Sequence, residues 1–72
     1  MAQQQVLAGD RLDLNRASVE ELIALIGISD MIAESIIDFR DANGGFDRVE
    51  DLMEVEGISE SSYQRIRLKV TV

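Results

Sequence analysis

The chain has 72 residues, with fourteen acidic against seven basic side chains, a net charge of −7, and no cysteine, histidine, proline or tryptophan. Such a composition excludes a zinc-finger ligand set, a thiol nucleophile, an imidazole base and a disulfide framework, and the length allows one domain at most. With 46% hydrophobic and 29% charged residues, and no apolar run near the roughly 20 residues of a membrane span, the chain is expected to be a soluble helical domain that does not insert into a membrane. A domain of this size buries only about 60% of the surface its unfolded chain exposes, so its core has to be built almost wholly from aliphatic side chains. Phe39, Phe46 and Tyr63 are the only aromatics. They are expected as packing anchors, because base stacking needs rings exposed on a basic surface.

Residues 1–11, MAQQQVLAGDR, carry neither a helical nor a strand period and are expected to form a flexible N-terminal tail. They lack the charged and apolar regions of a secretory signal, although Ala2-Gln3-Gln4 would suit a start left by cleavage after a small residue. Further on, Ser18 followed three residues later by Glu21 has the spacing of a capping box, so a helix should begin there. Val19, Leu22, Ile23 and Ile26 then fall at i, i+3, i+4 and i+7, the apolar stripe of a short helix that Gly27 ends. Ser29 is placed to cap a second helix, on which Ile32, Ala33, Ile36, Ile37 and Phe39 share a face. Its end is expected near Ala42, where Asn43-Gly44-Gly45 supplies residues that tolerate positive φ.

The same pattern then recurs. VEELIALIGISD, Val19 to Asp30, aligns without a gap on VEDLMEVEGISE, Val49 to Glu60, an internal repeat of one supersecondary unit. Val49, Leu52 and Met53 are expected to continue the apolar stripe, Gly57 to break the helix as Gly27 does, and Ser59 to cap a last helix that turns Tyr63 and Ile66 inward. Leu68 to Val72 alternates apolar and polar, so it should lie extended and, with Leu12 and Leu14, close the ends of the core. Residues 12–72 would then form the domain, with a first hairpin at 18–42 and a second at 48–68.

Two amphipathic helices joined by a Gly-Ile-Ser turn, present twice around a Gly-Gly-Phe linker, resemble the tandem helix-hairpin-helix domain. LNRASVEELIALIGIS, IIDFRDANGGF and VEDLMEVEGIS together look like the family of the competence protein ComEA. The resemblance implies a compact all-α fold of four to five short helices with pseudo-two-fold symmetry. It implies a non-catalytic module that binds double-stranded DNA without regard to sequence; the chain is expected to be a monomer with no cofactor or metal, and its acidic flanks to make that binding weak. An extracytoplasmic or membrane-tethered location is implied in the same way.

The residues give that activity a physical basis. A Gly-Ile-Ser turn can aim backbone N–H groups outward, and the following helix adds its own unpaired amides and positive dipole end, which together suit a phosphate. The expected DNA-binding residues are therefore Gly27, Ile28 and Ser29 beside Gly57, Ile58 and Ser59, with Arg65 and Lys69, which stand at i, i+4 spacing. The second hairpin, with those two cations following it, is expected to dominate. The same glycines and serines are also what any helix break and N-cap require. Moreover, Asp30 and Glu60 stand at the mouths of both turns, Glu54 and Glu56 precede the second, and Asp30, Glu34 and Asp38 form an acidic stripe. An alternative is therefore an acidic interaction module, with a basic protein as partner, that kept the fold and lost the DNA.

Overall fold

A computed structural model of the chain describes residues 7–8 and 11–72. In chain order these form strand β1 (Leu7–Ala8), strand β2 (Arg11–Asp13), helix α1 (Val19–Ile26), helix α2 (Asp30–Asn43), a 3₁₀ helix (Val49–Glu54), helix α3 (Glu60–Ile66) and strand β3 (Val70–Thr71). Four helical segments thus carry the fold. Of the stretch expected as a tail, residues 1–6 and 9–10 lie outside the described residues. Leu7–Ala8 instead pairs antiparallel with β2, and Arg11 begins β2 itself.

Local chemistry sets the helix ends. At α1 the Ser18 hydroxyl accepts from the Glu21 amide at 3.1 Å while the Glu21 carboxylate accepts from the Ser18 amide at 2.9 Å, completing the capping box. Gly27, at φ +80°, closes the helix in the left-handed region. Ser29 and Ser59 cap α2 and α3, their hydroxyls accepting from the amides of Ile32 and Ser62. Gly44 at φ +72° ends α2, one residue beyond Asn43 rather than at Ala42.

The two copies of the repeat fold differently. The first copy spaces its apolar residues at 19, 22, 23 and 26, the 3.6 period of an α-helix, whereas the second buries Leu52 and Val55 and half-buries Val49. Spacing by three is the period of a 3₁₀ helix, in which i and i+3 eclipse. Met53, expected on the apolar stripe, is accordingly 45% exposed. The cap differs too. Arg48 stands where the first copy has Ser18 and offers no hydroxyl, and the Asp51 carboxylate takes the amides of Asp47 and Arg48 instead.

One core joins all the larger elements. Leu12, Leu14, Leu22, Ile36, Leu52 and Val70 are the largest fully buried side chains, so β2 and the turn after it, α1, α2, the 3₁₀ helix and β3 each contribute at least one. Removing such a leucine to alanine costs about 2–5 kcal/mol. Phe46 is buried and meets half-buried Phe39 at a centroid distance of 5.0 Å. The C-terminal alternation does form a strand: Leu12 is in register with Val70 in a parallel pair, and the amides of Leu12 and Leu14 donate to the carbonyls of Lys69 and Thr71. Leu68 belongs to the turn before that strand and is exposed.

Candidate functional site

The first turn, Gly27-Ile28-Ser29, connects α1 to α2. Its glycine meets nothing within 4 Å where a side chain would begin, so the backbone there faces open space. The Gly27 amide is not an outward donor, because it bonds back to the Ile23 carbonyl at 3.0 Å. The Ser29 amide has no such partner among the described residues. Ile28 is half-buried against the core, as an anchor of the turn should be.

The second turn, Gly57-Ile58-Ser59, is built otherwise. A side chain at Gly57 would lie 3.5 Å from Cγ1 of Ile32 on α2, an ordinary contact distance, and the glycine itself is exposed. The Ile58 amide is engaged by the Val55 carbonyl at 3.2 Å, and Ile58 is buried. Glu54, Glu56 and Glu60 around this turn are all exposed.

Arg65 and Lys69 come against the first turn although they follow the second in sequence. They line a cleft of about 250 Å³ together with the first turn. Its floor is apolar, made by Ile26, Ile28, Ile32 and Ile66, and its rim is polar, made by Gly27, Ser29, Ser62, Arg65 and Lys69. The cations expected beside the second hairpin thus also meet the first: α3 and the turn after it bring Arg65 and Lys69 against Gly27-Ile28-Ser29. Sequence separation misled here, because the fold brings the end of the second unit against the turn of the first. Ser62 was not singled out by the sequence, although 62, 65, 66 and 69 recur at the spacing of one helix face. The Ser62 hydroxyl accepts from Arg65 at 3.4 Å and from Ser59 at 3.2 Å.

The other cations are placed elsewhere. Arg40, the only basic residue of α2, donates from one nitrogen to the carbonyls of Leu14 at 3.0 Å and Ala17 at 2.8 Å, holding the β2–α1 connection. Arg48 forms the one ion pair among the described residues, with Asp51 at 3.9 Å. Asp30, at the start of α2, is exposed beside the first turn, and Glu34 and Asp38 are exposed further along the helix.

A family model described as the helix-hairpin-helix motif matches residues 8–71. The chain belongs to the helix-hairpin-helix family, and its domain is of the ComEA type. This helix-hairpin-helix domain is 39% identical over 64 residues to ComE operon protein 1 of Bacillus subtilis, covering 89% of this chain and 31% of that protein. It is 40% identical over 63 residues to endonuclease/exonuclease/phosphatase family domain-containing protein 1 of Danio rerio, covering 88% of this chain and 12% of that protein. An uncharacterized protein of Haemophilus influenzae is 32% identical over 65 residues, covering 89% of the chain and 58% of its own length. The domain thus spans less than two thirds of each of these relatives.

Proposed function

We propose that this domain is a non-catalytic DNA-binding module that contacts the phosphate backbone and is indifferent to base sequence. The observation that carries this reading is the convergence of Arg65 and Lys69 with the open Gly27-Ile28-Ser29 turn on one cleft, in a chain whose net charge is −7. Cations gathered at one place on an acidic protein mark where an anion is received, and a turn whose glycine faces open space lets a phosphate approach the backbone. Backbone contact alone positions a duplex without reading it. Asp30 beside the turn keeps the affinity low. On its ComEA-type relationship we take the module to work outside the cytoplasm.

The test is fluorescence anisotropy of labelled duplex DNA against protein, repeated as salt is raised. Binding should weaken with salt along a shallow line reflecting a few phosphates, and duplexes of unrelated sequence should bind alike. Absence of binding at about 50 mM salt sinks this reading. In that event the exposed Asp30, Glu34, Asp38, Glu54, Glu56 and Glu60 favour the second reading, an interaction surface for a basic protein.

A further inference from the structure

We infer that this face also pairs with a second copy of the chain: Met31 of each copy enters the isoleucine-floored cleft of the other, and the carboxylates beside it meet the cations on the cleft rim. Met31 is 78% exposed, the most of any large apolar side chain among the described residues. It stands in the first turn of α2, beside exposed Asp30 and three residues before exposed Glu34, which is neighbour spacing on a helix. The outcome is an apolar tip flanked by two carboxylates. The cleft has the complementary make-up, an isoleucine floor under the exposed cations Arg65 and Lys69. Met31 does not line the cleft of its own chain, although Ser29 and Ile32 close to it in sequence do. Asp30 and Glu34 form no ion pair with Arg65 or Lys69 within the chain, the one ion pair among the described residues being that of Arg48 with Asp51.

Adjacency decides the partner. When two complementary patches lie side by side on one face, a two-fold rotation brings each over its counterpart and the assembly closes at two copies, whereas patches on opposite faces would build an open chain. Methionine suits the tip, because its unbranched, rotatable side chain fills irregular apolar gaps. Two chains of net charge −7 repel at a distance, so the pairing rests on contact. Screening over about 8 Å at physiological salt removes the distant repulsion and leaves the tip and the rim to act. The inference does not depend on DNA binding; where DNA is also received there, a phosphate and a second copy compete for one cleft.

Sedimentation equilibrium at about 0.15 M salt, from about 10 µM to about 1 mM protein, follows the mass from 8.0 kDa toward twice that value. The dimer should dissociate with a constant on the order of 100 µM. Met31→Gln should weaken it at least about tenfold, while Met53→Gln, which changes an exposed methionine outside the cleft, should stay within about twofold of the parent. A charge exchange tests the two-fold geometry. Asp30→Lys with Glu34→Lys, or Arg65→Glu with Lys69→Glu, sets like charges at both contacts of a homodimer and should leave each variant monomeric, with circular dichroism melts showing that each is folded. An equimolar mixture of the two variants sets opposite charges at both contacts again and should dimerise as the parent does. A parent that stays at 8.0 kDa up to about 1 mM, equal losses in M31Q and M53Q, or a mixture no more associated than its components overturns the pairing.

Discussion

At the scale of single residues, the site and the scaffold make opposite demands on charge. Asp30 opens α2, where a carboxylate stabilises the helix through its dipole by about 0.3–1 kcal/mol. It also stands beside the turn that would receive a phosphate, and two like charges at 4 Å repel by about 1 kcal/mol even in water. Asp30→Asn should therefore lower the melting temperature slightly while raising DNA affinity severalfold, two opposite signs read from one variant by calorimetry and anisotropy. Arg40 shows the reverse arrangement. Its guanidinium is engaged by the Leu14 and Ala17 carbonyls, and hydrogen bonds from a charged donor are worth about 1.5–3 kcal/mol. Arg40→Gln should lower the melting temperature on the order of 10 °C and leave the affinity of the folded protein for DNA unchanged. Gly45 is a third case. It sits at φ +121°, and a side chain there would come within 3.0 Å of the Asn15 amide oxygen, which already accepts from the Phe46 amide. Gly45→Ala should cost about 1–3 kcal/mol by thermal or urea unfolding, more than Gly44→Ala, which meets open space.

Among elements, the two halves of the repeat diverge where their apolar spacing diverges. Ile23 and Met53 occupy equivalent repeat positions, but Ile23 packs against the core and Met53 is 45% exposed. Ile23→Lys should destabilise the fold by about 2 kcal/mol or more, as loss of a packed aliphatic does, whereas Met53→Lys should fall within about 0.5 kcal/mol of the parent, as surface changes do. Denaturant melts of the pair would show whether Val49–Glu54 keeps its 3₁₀ phase in solution. This difference also marks how far the sequence could be read. Ser18 with Glu21, Ser29, Gly44 and Ser59 are local signals, each acting within four residues, and they placed the helices nearly to the residue. The 3₁₀ helix was obscured because identity at Val49, Glu50 and Leu52 suggested a second α1, while the deciding features were the lone Val55 between two glutamates and the missing hydroxyl at Arg48. The cleft was less legible still. Gly27, Ser29, Arg65 and Lys69 could each be named from sequence, but their meeting depends on how α3 crosses the first hairpin, and no pattern within either repeat encodes that crossing.

For the molecule as a whole, the acidic excess acts on folding and on binding in opposite senses. Fourteen acidic groups face seven basic ones, and the described residues hold a single ion pair, so folding gathers like charges with little compensation. Salt screens such repulsion over about 8 Å at physiological strength. Raising sodium chloride should therefore lift the melting temperature by a few degrees while the same salt weakens DNA binding, and both trends can be followed in one buffer series. A flat melting temperature would mean that the carboxylates are already too far apart to matter. The strand pair that seals the core has a mechanical meaning as well. Because β2 and β3 run parallel as neighbours, opposite pulls on the start of one and the end of the other slide them lengthwise and load both the Leu12 and the Leu14 bonds at once. Lys69 lies directly before β3, and its carbonyl is one of the two acceptors. Tension along the chain would thus bear on the backbone of Lys69, a residue of the cleft's rim.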